Sequence, residues 1–231
     1  IVENYGDIVE FVGLCDINPG RLQFAQKYMD IDCPVFTNFD QMMNETNPEM
    51  VIVTTVDATH HQYIIRAMEL GANVLTEKPM TTDEQKSEAI LEAEKRTGKK
   101  CTVGFNYRYG TLFSAIKKEL AKKPVGEITS VDFHWYLNVY HGASYFRRWH
   151  GERDKGGTLL VHKSTHHFDL LNWFLDSDPV EVTAYGDLEH YGTNHPYRGA
   201  NCRTCAYTDK CEYYWDITDN KHYMNLYVKN E

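Results

Sequence analysis

Five short apolar runs in the first hundred residues, each separated from the next by a stretch of helical patterning, constrain this chain more than any other feature. Val9 to Cys15, Val35-Phe36, Met50 to Thr55, Val74 to Thr76 and Cys101 to Phe105 read as strands. Between them the spacing predicts helices near Arg21 to Tyr28, Phe39 to Glu45, His60 to Leu70 and Thr82 to Thr97, the last two stopped by Gly71 and Gly98. The runs are continuously apolar rather than alternating, as expected of strands covered by helices on both faces, and no hairpin turn joins neighbours. The pattern predicts an α/β fold with a doubly wound parallel sheet.

Beyond about residue 110 the texture changes. A helix is predicted from Leu112 to Lys122, and Ile128 to Tyr136 alternates as a strand with one covered face does. Gly156-Gly157 open a helix running to about Leu175, and Val180 to Tyr185 reads as a second strand before an irregular, Tyr-rich end. Two domains are therefore expected, 1–108 and 109–231, the second an α+β unit whose sheet is incomplete in this sequence. The sequence starts with Ile1 rather than Met, and the reading places the first strand and any glycine-rich turn of the parallel sheet upstream of it.

Charge narrows the partners. With 33 acidic against 24 basic side chains the net charge is −9, which argues against nucleic acid and against acidic lipid. No run approaches the roughly 18 apolar residues of a membrane helix. The cysteines lack the dense, even pattern of a small secreted domain, so a reducing compartment and a cytoplasmic location are expected, with export left open by the upstream segment.

Four places carry candidate chemistry. Asp16 ends an early strand, where an acid accepts hydrogen bonds from adenosine ribose hydroxyls and repels a 2′-phosphate, favouring NAD over NADP; it reads equally well as a turn acid in Asp-x-Asn-Pro-Gly. Thr54 and Thr55 open a turn to His60 after a buried strand, where small polar side chains line a cofactor; the alternative is ordinary capping of the next helix by Thr59 or Asp57. Glu77-Lys78-Pro79 ends another strand; a partly buried Lys78 would exchange protons, whereas an exposed one would form a surface ion pair. In the helix after Gly157, the periodicity puts His162, His166, Asp169 and Trp173 on one face, opposite Leu160, Ser164, Phe168, Leu171 and Leu175. Such imidazoles serve as acid–base groups oriented by a carboxylate, or as metal ligands. Separately, Cys202, Cys205 and Cys211 form half of a metal-binding motif, so a structural zinc or iron–sulfur site and plain reduced thiols both stay open.

The stretches LCDINPGR (14–21), VIVTTVDATHHQYIIRAMELGANVLTEKPM (51–80), GFNYRY (104–109) and GGTLLVHKSTHHFDLLNWFL (156–175) together resemble the glucose-fructose oxidoreductase / inositol dehydrogenase / MocA family. The resemblance implies a Rossmann domain followed by an α/β domain with a large, open, mostly antiparallel sheet. It implies a tightly held NAD(P) and oxidation or reduction of a secondary hydroxyl on a sugar or cyclitol, in a dimer or tetramer built through that sheet. By the same resemblance Asp16 and Glu77 hold ribose, and Thr55 and His60 lie beside the nicotinamide half. Asn106 and Arg108 lie near the nicotinamide and the domain junction. Lys78 and His166 would be catalytic, with Asp169 following at the family spacing. His162 departs from the family, many members of which have Asp there. That leaves the orientation and proton affinity of Lys78 and His166 open.

The mechanism so implied moves the hydroxyl proton to His166 or Lys78 while the hydride leaves carbon. It predicts activity rising with pH through the histidine range. The loop containing Tyr136, Tyr140, His141, Tyr145, Arg147 and Trp149 would bind the polyhydroxylated ring, though half of these aromatics are expected in the core or at an oligomer interface. Competing functions are a redox-neutral glycoside cleavage, a sugar-sensing protein without turnover, and a metal hydrolase using His162, His166 and Asp169.

Overall fold

A computed structural model describes residues 2–138, 145, 149–191 and 194–219. After a short helix α1 (Val2–Tyr5), the chain alternates β1 (Leu14–Cys15), α2 (Pro19–Met29), β2 (Val35–Phe36), α3 (Phe39–Thr46), β3 (Met50–Val53), α4 (His60–Glu69), β4 (Asn73–Thr76), α5 (Glu84–Thr97) and β5 (Cys101–Val103). Every observed strand pairing is parallel. β1 lies beside β2, and the second sheet has the order β3-β4-β5, with Met50 opposite Asn73 and Val74 opposite Cys101. Crossover helices are what parallel pairing demands, and three of them have a side-chain cap where they start. Asn18, Asn38 and Asp83 accept backbone N–H bonds at the starts of α2, α3 and α5. Gly98 takes the left-handed conformation that ends α5.

The core follows from the same pattern. Ile64, Ala67 and Met68 of α4 and Ile90 and Ala93 of α5 are buried with Val51, Val53 and Val74 of the sheet, whereas Val35, Met50 and Ile52 are exposed, so the expected cover on both faces is not seen among the described residues. Burial of this kind is worth about 25 cal/mol per Å² of apolar surface and fixes the sheet beneath its two helices. The carboxyl ends of β3, β4 and β5 therefore open along one edge, the edge at which open α/β sheets bind ligands.

The second half departs from expectation. Among the described residues, 128–136 and 180–185 form no strand, and Val180, Val182 and Tyr185 are exposed. Alternation selects which face is covered, but a strand exists only once a partner satisfies its backbone, and no described segment pairs with either. The antiparallel sheet is thus not seen among the described residues. The long helix expected over 156–175 is three pieces: α7 (Arg153–Gly156), α8 (Thr158–His162) and α9 (Thr165–Leu175), preceded by α6 (Thr111–Leu120). Leu160, Phe168 and Leu175 are exposed, whereas His162, His166 and Asp169 are buried.

Gly157 makes the break between α7 and α8. Its φ is +67°, and an added Cβ would stand 2.9 Å from two side-chain carbons of Val161 and 3.3 Å from the Thr82 carbonyl oxygen. Gly98, at φ +70°, would meet nothing within 4 Å. Gly157→Ala is therefore expected to cost about 2–3 kcal/mol, through strain and overpacking, against about 1 kcal/mol for Gly98→Ala. Urea unfolding of both variants measures the difference, and equal costs would show that Val161 gives way freely.

Candidate active site

The turn after β3 and the turn after β4 are locked together first. The Glu77 N–H donates to the Val53 carbonyl at 2.9 Å, and the peptide bond between Lys78 and Pro79 is cis. His60, at the start of α4, is buried, with its ring nitrogens 2.9 Å from the Pro79 and Thr55 carbonyl oxygens. This histidine, expected beside the nicotinamide, ties the two turns to each other.

Lys78 leaves the sheet edge half-buried and reaches the break between α8 and α9. Its Nζ stands 3.2 Å from His162 Nε2 and donates to the His162 carbonyl oxygen at 3.2 Å. The other ring nitrogen, Nδ1, lies 2.5 Å from Oδ2 of Asp57, the residue opening a 3-10 turn (Asp57–Thr59) directly after β3. Asp57 is 3% exposed and His162 8%. A carboxylate only accepts, so Nδ1 donates its proton to Asp57 and Nε2 offers a lone pair to the lysine. Burial disfavours the Lys78 ammonium and pushes its pKa down; Asp57 and then Glu77 oppose that, while Lys163 reinforces it.

His166 lies on α9, 3% exposed, stacked on Tyr107 at 4.1 Å with a 6° interplanar angle and edge-on to Phe105. Tyr107 is pinned in turn by Lys163, whose Nζ donates to the phenol oxygen at 2.9 Å. Burial first, then the neighbouring Lys78 and Lys163 charges, drives the His166 pKa down to about 4. Its Nδ1 is buried without a hydrogen-bond partner, leaving Nε2 as the nitrogen that can serve a ligand. The depressed pKa has a consequence for stability. Below the ordinary 6.5 the unfolded chain protonates this ring while the folded chain resists until about 4, so stability falls as pH drops through that window. The loss is on the order of 2 kcal/mol after discounting for nearby water. His166→Phe should flatten the pH dependence of the denaturation midpoint across that interval, and an unchanged slope would refute a buried neutral ring.

Arg108, on the 3-10 turn after β5 (Asn106–Tyr109), holds Asp169 of α9 in a two-pronged pair at 2.8 and 2.5 Å and lies over the Trp173 ring. The two residues expected at cofactor and substrate thus engage each other. Trp149 packs edge-on against His162 at 5.8 Å, and the buried Tyr145 does so at 5.4 Å, with its phenol pushed up to about 12 chiefly by burial. Thr54 and Thr55 are exposed past the end of β3, where Thr55 Oγ1 accepts from Thr59. Glu77 and Asn106 are exposed past β4 and β5. Asp16 is half-buried past β1, accepting from the Asn18 N–H at 2.8 Å. Tyr140, His141 and Arg147 lie outside the described residues.

The expected metal sites are not seen among the described residues. Cys202, Cys205 and Cys211 are free thiols, and among the described residues no group of three His, Cys, Asp or Glu side chains is arranged to hold an ion. His162 and Asp169 are already committed to Asp57 and Arg108, which removes the hydrolase reading as well. Sequence reasoning missed Asp57, Tyr107 and Lys163. Asp57 stood in view within Thr54 to His60, where it passed for a capping residue. Among the described residues no helix is long and apolar enough to cross a membrane.

Comparison with known proteins places the chain in a family. A family model of NAD-binding Rossmann oxidoreductases matches residues 2–105, and that of the same family's C-terminal alpha/beta domain matches 117–217. YteT of Bacillus subtilis (strain 168), provisionally named an oxidoreductase, is 42% identical over 224 residues, covering 93% of this chain and 52% of YteT. An inositol 2-dehydrogenase of Salmonella typhimurium (strain LT2) is 26% identical over 178 residues, covering 77% of this chain and 50% of the relative. The solved WlbA dehydrogenase of Chromobacterium violaceum, in complex with NADH and UDP-GlcNAcA, superposes with a TM-score of 0.65 at 25% identity, covering 75% of this chain and 50% of that one. The chain spans about half the length of the curated relatives it matches. With both family models accounting for most of its length, the chain belongs to the Gfo/Idh/MocA oxidoreductase family.

Proposed function

We propose that the protein is an NAD-dependent oxidoreductase acting on a secondary hydroxyl of a sugar, sugar derivative or cyclitol. The observation that carries this is Lys78, a desolvated amine at the carboxyl end of a parallel strand, held by His162 within electrostatic reach of the neutral His166. The inositol dehydrogenases and the WlbA complex among its relatives support the substrate class.

The donors and acceptors along the sheet edge fit the cofactor. Asp16 offers a carboxylate for ribose and disfavours a 2′-phosphate, while Thr54, Thr55, Glu77 and Asn106 are exposed past successive strand ends. When bound, the nicotinamide takes or returns the hydride. The chain's own groups manage the proton. A ring that resists protonation down to about 4 is a weak base, so the hydroxyl proton passes to the Lys78 amine and the O–H bond becomes N–H as the C–O bond becomes C=O. The ammonium so formed is stabilised by His162 Nε2 and the His162 carbonyl oxygen. His166 hydrogen-bonds the substrate oxygen in its neutral form.

The pH dependence differs from what the histidines alone imply. His166 is neutral well above about 4, so the rise of oxidative activity with pH follows deprotonation of Lys78, with a midpoint below the ordinary lysine value of about 10.4. NADH fluorescence during incubation with NAD and a panel of inositols, hexoses and nucleotide sugars tests the reading. NADH formation with a limb set by Lys78 is expected. Failure of every substrate, together with failure to bind NADH in titration calorimetry, would overturn it.

A further inference from the structure

We infer that Asp57 is a positioning residue for proton transfer, fixing the His162 imidazole so that its Nε2 lone pair receives Lys78. The inference rests on the oxidoreductase reading for its meaning in turnover, but its geometry stands apart from it. A carboxylate opening a turn ordinarily spends its oxygens on nearby backbone N–H groups. Asp57 Oδ2 is directed at a ring 105 residues away. Both partners are almost fully buried, so neither contact is an incidental surface pair. A buried imidazole flanked by two hydrogen-bonding groups has one arrangement that satisfies all three: acid accepting, Nδ1 donating, Nε2 accepting. Without the acid the ring is free to carry its proton on Nε2, where it would face the lysine donor to donor.

The surroundings leave this role to Asp57. The charged groups near Lys78 are Asp57, Glu77 and Lys163. Around the His162 ring stand Tyr145, Trp149 and His150, with His166 in electrostatic reach. Helix α7 packs against the Asp57 turn, but its Arg153, Asp154 and Lys155 are exposed. Glu77 is exposed and accepts from the Lys78 backbone N–H. Asp57 is thus the buried carboxylate of the cluster.

Asp57→Asn keeps the shape and removes the charge. The expected result is a fall in kcat of roughly 10–100-fold, the range for groups that orient an active histidine, with the sugar KM changed less than about threefold. The Lys78 titration should also move to lower pH, since the carboxylate favours the ammonium. Trace acetylation with acetic anhydride across a pH series, quantified at Lys78 by mass spectrometry, reads that midpoint without substrate. Asp57→Glu should restore most of the midpoint. In a His162→Gln background, adding Asp57→Asn should change kcat less than about threefold, because the route to Lys78 is already cut. Nitrogen NMR of His162 in the unmodified protein should show Nδ1 protonated, a measurement that no folding defect of a variant can spoil. An Nε2-protonated ring, an unmoved Lys78 midpoint, or full additivity with His162→Gln would overturn the inference. Correct NMR and acetylation results in a protein that turns over no substrate would instead overturn the oxidoreductase reading and leave the positioning intact.

Discussion

Lys78→Met is expected to lower kcat for NAD-dependent oxidation by about 10²–10⁴-fold, the usual worth of a positioned acid–base group, while KM for NAD stays within a few-fold. Methionine keeps much of the lysine's length and apolar stem, so the turn after β4 retains its packing. What it lacks is the nitrogen that meets His162 Nε2 and the His162 carbonyl at 3.2 Å. The loss should fall on kcat rather than binding, because the amine is called upon only as the hydroxyl proton departs. Stopped-flow NADH fluorescence with the best substrate of the panel, beside a circular dichroism spectrum to verify folding, makes the measurement. A folded Lys78→Met variant that keeps more than about a tenth of the wild-type kcat would assign the proton to another group, and His166 would then need to carry it despite its low basicity.

The parallel sheets were legible because their information is local. Met50 to Val53 is continuously apolar, which marks a strand of a parallel sheet, and the helices beside it in sequence cover the Val51 and Val53 face while Met50 and Ile52 stay exposed. Strand ends drifted inward, to Leu14–Cys15 in the first case, because apolar character runs past the last ladder partner. The second half was less legible for a reason of range. Ile128 to Tyr136 alternates well, but register and partner are properties of another segment, which alternation does not name. The helix containing His162 and His166 misled in the opposite way. The periodicity runs through Lys163 and Ser164 as though the helix were continuous, and it separates Phe168 from the histidines without telling which face is buried. The buried face carries polar groups beside Leu170, and these groups meet partners supplied from elsewhere: Asp57 and Lys78 for His162, the Tyr107 ring for His166, Arg108 for Asp169.

For the same reason the site was half visible. Lys78, His162 and His166 announce themselves by type, since a solvated helix face carries Lys and Glu rather than paired imidazoles. Their convergence spans 84 residues between Lys78 and His162, a distance that no local pattern reports. Asp57, which looked like a cap, points into the site, and His60, expected at the cofactor, joins two backbone turns.

Arg108→Met should be the most destabilising single change at the site, costing about 2–4 kcal/mol. It strands the Asp169 carboxylate, 7% exposed, without the guanidinium that binds both of its oxygens. The upper end of the buried-pair range is not expected, because Arg108 itself is 38% exposed and water compensates part of the loss. For a chain of this size that cost lowers Tm by about 5–15 °C. Removing both partners in Arg108→Met/Asp169→Leu should recover most of it, since no buried charge is then left alone. The single variant should also reach the chemistry. The pair joins the turn that carries Tyr107 to the helix that carries His166, so loosening it admits water to the stacked ring. Water relieves the penalty on the charged imidazole, and the His166 titration should therefore climb from about 4 toward its ordinary 6.5. Proton NMR of the ring follows that shift in the folded variant. A variant that loses the expected stability while His166 still titrates near 4 would show that Tyr107 and Lys163 alone hold the ring dry, and that the ion pair serves the fold without tuning the site.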